Sequence, residues 1–154
     1  MNKIAVAMGM TVLTFLPGFA SGQMDASTLT KSPLGAAALE FLDLGLNQKK
    51  VDEAIDKYLA PPYTQHNPQV PDGIEGARAA LTGLLKQLPG WHYDFKRVLV
   101  DGDFVTIHSH VTTGSGDRGM AVVDIFRAEN GKFVEHWDVV QPVPESAANE
   151  NTMF

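Results

Sequence analysis

VLVDGDFVTIHSHVTTGSGDRGMAVVDIFRAENGKFVEHWDVVQ, residues Val98 to Gln141, is the stretch that decides the fold. Apolar and polar residues alternate along it, and short turn signals interrupt it, of which Asn130-Gly131 is the clearest. A period of two predicts half-buried strands, and Asn-Gly between apolar runs predicts a tight hairpin. With the residues just before it, the stretch predicts a meander of about four antiparallel strands: Trp91–Val100, Phe104–Thr113, Met120–Arg127 and Phe133–Gln141.

The chain before this stretch is helical. Apolar residues at helical spacing predict three helices, at Leu34–Asn47, Val51–Leu59 and Ile74–Gln87. Ser32-Pro33 provides an N-cap and a proline at the first helical position, and Asp72 with Glu75 predicts a capping box for the third helix. Helices followed by strands indicate an α+β fold in which the sheet curls around the helices and leaves a pocket on its concave face.

The first 22 residues differ from the rest. Lys3 precedes an uncharged apolar run, Ile4 to Phe19, and Ala20-Ser21-Gly22 has the small residues of a signal-peptidase site. This pattern predicts a signal peptide at 1–22 and an exported, periplasmic or secreted protein, with an uncleaved anchor as the alternative. We expect a flexible lead at 23–31, the folded domain at 32–145 and a C-terminal tail at 146–154, whose final Met153-Phe154 can dock on the domain or on a partner.

Composition restricts the partners. The sequence has 12 basic and 18 acidic residues and no cysteine, so packing and not disulfides must stabilise an exported form. Loss of Lys3 with the signal changes the net charge from −6 to −7. An acidic chain without a basic cluster disfavours nucleic acid and, after signal removal, membranes as partners. A small, largely uncharged ligand is the better expectation.

Strand alternation predicts which side chains share a face. With Asn130-Gly131 as a two-residue turn and the preceding loop centred near residues 115–119, Asp124 lies opposite Trp137 and His110 opposite Asp124. Cross-strand Cβ atoms are about 4.5–5.5 Å apart, close enough for a His–Asp hydrogen bond that tunes a general acid/base. Provided that no bulge intervenes, one face carries His108, His110, Asp124, Phe126, Glu135, Trp137 and Gln141. His136 and Asp138 then lie on the opposite, outer face.

Other readings of these residues stay open. A His–Asp pair between strands is as often structural as catalytic. The segment after the second helix is either a hydrogen-bonded turn or a pocket rim that orients a substrate carbonyl; it contains Tyr63, Gln65, His66 and Asn67. His108-Ser-His110 could join His66 or His92 at a zinc or iron ion, but the downstream glutamate typical of such His-x-His sites is missing, and the prediction is no metal.

Four segments together resemble a known family. They are Tyr63-Thr-Gln-His-Asn-Pro68, Asp72-Gly73, Ala121-Val-Val-Asp-Ile-Phe-Arg127 and Gly131-Lys-Phe-Val-Glu-His-Trp-Asp-Val-Val-Gln-Pro142. The chain from Ser32 to Phe154 resembles the SnoaL-like, polyketide-cyclase-like branch of the nuclear-transport-factor-2-like superfamily. The resemblance implies a cone-shaped sheet of four to six strands around three helices, homodimers through the outer sheet face, and cofactor-free chemistry inside the cone. It also implies that Asp124 is the acid/base, helped by a histidine at the place of His110.

The sequence therefore predicts an enzyme that moves a proton alpha to the carbonyl of a small apolar molecule, by aldol-type cyclisation, isomerisation or dehydration. Asp124 and His110 are the predicted catalytic pair. The predicted substrate-binding residues are Tyr63, Gln65, His66, His108, Phe126, Glu135, Trp137 and Gln141. Two alternatives remain, a non-catalytic periplasmic binding protein that uses the same pocket and a metal-dependent hydrolase or oxygenase.

Overall fold

The structure, a computed structural model, describes residues 28–154. The predicted signal peptide and residues 23–27 of the predicted lead lie outside this range. Within it, no helix combines the length and the apolar character needed to cross a bilayer.

Three α-helices form where the apolar periodicity predicts them. Helix α1 is Pro33–Leu42, capped by the Ser32 hydroxyl, which accepts from the Gly35 amide at 3.4 Å. A π-helical turn, Asp43–Asn47, continues it, and α2 is Val51–Tyr58. Helix α3 is Gly73–Gln87. The capping box predicted for α3 is wrong, because the Asp72 carboxylate accepts from the Gln65 amide at 2.8 Å and does not cap the helix.

Five strands form one sheet in the order β1-β5-β4-β3-β2. Strand β1, Leu59–Gln65, runs parallel to β5, whereas the other neighbours are antiparallel. The meander consists of β2 His92–Asp101, β3 Phe104–Thr112, β4 Met120–Glu129 and β5 Lys132–Pro142. The curved, unclosed mixed sheet with three helices on it confirms the predicted α+β class. Asn130 and Gly131 both have positive φ, as a type I′ hairpin turn requires.

The predicted pairing of β3 with β4 is wrong. Asp124 lies opposite Ile107, and His110 lies opposite Ala121. The connecting loop is longer than expected, because the last pair before it is Val111 with Met120. The Asp117 carboxylate organises this loop by accepting from the Thr113 amide at 2.8 Å and from the Gly119 amide at 2.9 Å. The register moves by an odd number of residues, so His108 and His110 lie on the outer face while Asp124 stays on the inner face.

The predicted pairing of β4 with β5 is correct next to the hairpin turn and wrong on the far side of a β-bulge. Next to the turn, Ala128 pairs with Phe133, but Arg127 pairs with Glu135, so Val134 is an extra residue in β5. Because Phe133 and Val134 are both buried, the bulge lets two successive apolar side chains leave water. From this point the alternation of β5 is reversed. His136 and Asp138 face inward, and Glu135, Trp137 and Gln141 face outward.

The core lies between the inner sheet face and the helices. Phe126 is 1% exposed and its ring packs against Phe41, Phe133 and His136, with centroid distances of 5.6, 5.0 and 4.6 Å. Leu39 and Ile55 close the helical side of the same cluster. This aromatic centre fills one end of the space inside the curved sheet and leaves the other end open.

Candidate functional site

A cavity of about 600 Å³ occupies that open end. Its volume lies within the range of roughly 300–1,000 Å³ that is usual for small-molecule sites. Helix α3 covers it with Ala77, Ala80, Leu81 and Leu84, and most of the remaining wall is also apolar. The polar part of the wall is concentrated on β1, the segment after β1, β4 and β5: Tyr63, Gln65, Asn67, Asp124, His136 and Asp138.

Asp124 and His136 form a buried pair on neighbouring strands. Asp124 Oδ1 lies 3.2 Å from His136 Nε2, and the two residues are only 3% and 9% exposed. Phe126 stacks on the imidazole and holds its plane. Asp124 Oδ2 is buried without a hydrogen-bond partner of good geometry among the described residues. Such an orphaned carboxyl oxygen is costly, and groups of this kind concentrate at functional sites.

Gln65 determines which nitrogen of His136 carries a proton. Its Oε1 accepts from the Asn67 amide at 2.9 Å and lies 3.1 Å from His136 Nδ1. The atom of the Gln65 amide that accepts a backbone N–H must be its oxygen, and an amide oxygen cannot donate. The facing Nδ1 of His136 is therefore the donor and is protonated. His136 Nε2 and Asp124 Oδ1 are then left with one proton between them, either as a neutral acid and imidazole or as an ion pair.

The same network reaches a second carboxylate. Asn67 Nδ2 donates to Asp138 Oδ2 at 2.7 Å, and Asp138 is the direct cross-strand neighbour of Asp124. A continuous chain of contacts therefore joins Asp124, His136, Gln65, Asn67 and Asp138. It links β4 and β5 with the segment after β1, and it places two carboxyl groups on one wall of the cavity.

Burial and neighbouring charge change the acidity of these groups. Burial raises the pKa of Asp124, the His136 hydrogen bond opposes this, and the charge of Asp138 adds to the increase. Burial, and then the two aspartates, raise the pKa of Tyr63 and that of Tyr93 above their ordinary range. Both phenols therefore keep their protons at neutral pH. Proton transfer at this wall centres on Asp124 and His136.

The structure brings four of the ten predicted site residues to the cavity. Asp124, Phe126, Tyr63 and Gln65 line it. The predicted helper of Asp124, His110, lies on the other side of the sheet, where its Nε2 is 2.8 Å from the Arg118 carbonyl. The odd shift in the β3–β4 register explains this displacement. The other five predicted binding residues do not line the cavity: His66, His108, Glu135, Trp137 and Gln141.

Those five residues belong to the outer face or its rim. His66 stacks flat on Trp137 at 4.5 Å and contacts Glu135 at 2.8 Å, and Glu135 also accepts from Arg127. His108 Nδ1 lies 2.6 Å from Arg97, and Gln141 is exposed. Their contacts are ion pairs and ring stacks at the surface. Their predicted role in binding substrate has no support from their position.

The cavity is also lined by five polar residues that were not predicted as site residues: Asn67, Gln69, Gln87, His136 and Asp138. His136 and Asp138 were placed outside because the alternation was carried through the bulge at Val134. The adjacent apolar residues Phe133 and Val134 were the signal for it, since both can be buried only if the pleat is interrupted. Asn67 belongs to the segment for which a turn and a pocket rim were both considered.

A metal centre does not emerge from the described residues. They include no group of three or more His, Asp or Glu side chains arranged to hold a metal ion. His66 and the His108–His110 pair are engaged separately, with Glu135 and with Arg97 and Arg118 respectively.

The comparisons with known proteins agree with this architecture. A family model described as the SnoaL-like domain matches residues 38–136. A candidate polyketide cyclase from Bacillus cereus is 26% identical with a TM-score of 0.59, over 70% of this chain and 73% of that one. A candidate polyketide cyclase from Acidithiobacillus ferrooxidans is 22% identical with a TM-score of 0.61, over 71% and 89%.

A candidate isomerase of the SnoaL-like family from Agrobacterium tumefaciens is 14% identical with a TM-score of 0.58, over 70% of this chain and 94% of that one. At 22% and 14% identity, the Acidithiobacillus and Agrobacterium structures are evidence of a shared fold alone. The comparison with curated proteins gave no significant match.

Proposed function

The chain belongs to the SnoaL-like domain family, and from that premise we propose that it is a cofactor-independent acid/base enzyme. It moves a proton alpha to the carbonyl group of a small, largely apolar molecule, in an aldol-type cyclisation, an isomerisation or a dehydration. Solved relatives described as candidate cyclases and a candidate isomerase support the general class. The site of this chain supports the chemistry.

The observation that carries the proposal is the 3.2 Å contact between Asp124 Oδ1 and His136 Nε2 at the wall of an apolar cavity. A carboxylate whose pKa is raised by burial is a stronger base than an exposed one, which favours proton abstraction. Asp124 can act as the base when the proton that it shares with His136 lies on Nε2. Asp124 then accepts the proton from the alpha carbon and returns it to the product.

Tyr63 is suited to the substrate oxygen. Its phenol lines the cavity, stays protonated because its pKa is raised, and makes no hydrogen bond to another described residue. A neutral hydroxyl donor in a pocket of low dielectric stabilises charge that develops on a carbonyl oxygen. We therefore assign Tyr63 to the carbonyl oxygen and Asp124 to the alpha carbon.

Exchange of an alpha proton with solvent tests the proposal without knowledge of the natural substrate. The probe is 2-tetralone in D₂O, followed by ¹H NMR with the wild-type protein, Asp124→Asn and the matched control Asp101→Asn. Asp101 is exposed at the end of β2 and does not line the cavity. General acid/base catalysis contributes roughly 10²–10⁴-fold, so Asp124→Asn should lose at least about a hundredfold while the control keeps the wild-type rate. Equal exchange in wild type and Asp124→Asn would refute the assignment.

One observation favours a second function, a non-catalytic binding protein. Asp124 is 3% exposed and its Oδ2 is buried, which is also how a purely structural carboxyl group looks. A binding protein would take up ligands in the cavity without accelerating exchange in any variant. An enzyme must show both binding and exchange.

Two expectations from the sequence stay proposals. We propose export, on the strength of the signal-like residues 1–22. We also propose a homodimer through the outer sheet face, where Leu99 and Val139 are 65% and 63% exposed. Size-exclusion chromatography of the wild type and of a Val139→Asp variant tests the second; a dimer that persists in Val139→Asp would contradict this interface.

A further inference from the structure

Among the described residues that line the cavity, acidic side chains occur without lysine or arginine. His136 is the one imidazole among these described residues. Two carboxyl groups, Asp124 and Asp138, lie directly opposite each other on β4 and β5. The basic side chains of the described chain point elsewhere, as in the ion pairs of Lys57 with Glu40 and of Arg78 with Asp52 on the helical surface.

Asp138 is the carboxyl group of this pair that has no histidine partner. It accepts a hydrogen bond from Asn67 Nδ2 at 2.7 Å, which fixes its position, and it is half-buried in the cavity wall. Asp124, by contrast, is buried and lies 3.2 Å from His136 Nε2.

We infer that Asp138 is a specificity-determining residue, which makes the cavity take uncharged ligands with a carbonyl or hydroxyl group and reject carboxylates and phosphates of the same shape. The inference rests on the proposed function, since it takes this cavity to be the substrate site. A ligand anion would lie beside the Asp138 carboxylate, and no lysine or arginine among the described lining residues could pair with it. This repulsion lowers the affinity for an anion relative to an uncharged ligand of the same shape.

Two tyrosines line the same cavity, Tyr63 and Tyr93. Burial first, and then the charges of Asp124 and Asp138, raise the pKa of both phenols. A phenolate is an anionic oxygen held in the cavity wall, so what disfavours it also disfavours an anionic ligand oxygen. The neutral phenols are in turn suitable donors to an uncharged carbonyl.

The test uses two isosteric probes, 2-naphthamide and 2-naphthoate, which share a ring system and differ in charge at pH 7.5. Their dissociation constants are measured by isothermal titration calorimetry for the wild type, Asp138→Asn and the matched control Asp101→Asn. Asparagine at 138 keeps an oxygen that can accept from Asn67. We expect the wild type and the control to bind the amide roughly tenfold more tightly than the carboxylate, and Asp138→Asn to reduce that ratio to about threefold or less.

A wild-type ratio near one, a ratio unchanged in Asp138→Asn, or no binding of naphthamide at millimolar concentration would each overturn the inference. The circular dichroism spectrum of Asp138→Asn must match that of the wild type. Asn67→Ala is a second test, because the loss of the Asn67 hydrogen bond leaves Asp138 less firmly held and should also change the ratio of the two dissociation constants. Failure here is distinct from failure of the proposed function. The tetralone exchange rate can depend on Asp124 even if ligand charge does not matter.

Discussion

The two faces of the sheet carry similar residues in different surroundings. On the inner face, a histidine and an aspartate, His136 and Asp124, meet under a phenylalanine ring in a space closed by helices. On the outer face, His110 also lies under a phenylalanine ring, that of Phe154, at 4.2 Å, but its other neighbour is the exposed loop at Arg118. Both faces therefore pair a histidine with a phenylalanine ring, but only the buried inner histidine also contacts an aspartate.

This difference shows that the number of ionisable residues in a strand does not by itself identify a functional site. On the outer face, Glu135 contacts both His66 and Arg127, so its charge is balanced and partly solvated. On the inner face, Asp124 pairs with His136 and lies close to the Tyr93 hydroxyl, but its Oδ2 is buried without a hydrogen bond of good geometry. Incomplete pairing in an apolar cavity makes Asp124 reactive. Complete pairing at the solvated surface makes Glu135 a structural group.

The largest expected difference between the faces is in stability. Phe126→Ala removes the ring at the centre of the aromatic core and should lower the free energy of unfolding by about 3–5 kcal/mol. Phe154→Ala makes the same chemical change on the outer face and should cost less than about 1 kcal/mol. Urea denaturation of both variants measures this. Equal losses would mean that the tail is as much part of the core as Phe126.

A smaller effect is expected from pH. Because the folded state holds the Asp124 proton more tightly than the unfolded chain does, the folded wild type loses stability as the pH rises above about 4, until Asp124 has ionised. Asp124→Asn cannot ionise. Its stability relative to the wild type should therefore increase with pH over that window and then level off. Denaturation series at pH 4 to 8 measure the difference, and a flat or falling difference would contradict a raised pKa.

The opposite sign is expected on the outer face. Hydrogen bonds from His66 and then Arg127 lower the pKa of Glu135, so its contribution to stability is present above the ordinary carboxyl range and is lost as the pH falls through the lowered value. Glu135→Gln should cost about 1 kcal/mol or less at neutral pH and less still in acid or high salt. Salt-independent loss would indicate a buried pair.

The smallest expected effect concerns the tail. Phe154 stacks on His110, and its ring also lies 5.8 Å from His108 and from Lys96 Nζ. Phe154→Ala should shift the ring resonances of these two histidines in ¹H–¹³C spectra while His136 stays unchanged. Met153→Ala is the neighbouring control. A shift at His136 would show that the two faces communicate.

The fold could be predicted from the sequence because it depends on the order and type of the elements, which an error in the register of one strand pair does not change. The helical periodicity, Ser32-Pro33 and the Asn130-Gly131 turn each act locally, and the structure confirms the elements that they predict. The site could be predicted only in part. Asp124 and Gln65 were placed correctly in the cavity, but the partners of Asp124 depend on a three-residue shift in one loop and on one extra residue at Val134.

Such shifts arise from tertiary burial, which a period-two pattern does not encode. Phe133 and Val134 gain more by both leaving water than the strand loses by interrupting its ladder. The cost of an error is large because a shift of one residue moves every side chain of a strand to the other face. The histidine partner of Asp124 was therefore expected on β3, as His110, whereas the chain provides it from β5, as His136.

The most direct test of the Asp124–His136 pair is a ¹H–¹⁵N spectrum of the His136 ring at pH 7, for the wild type and for Asp124→Asn. We expect Nδ1 to carry a proton in both proteins, because it faces Gln65 Oε1, and the Nε2 resonance to move when Asp124 is replaced, because Nε2 faces Asp124 Oδ1. An unprotonated Nδ1, or an Nε2 resonance that does not respond to Asp124→Asn, would contradict the hydrogen-bonded pair on which the proposed chemistry depends.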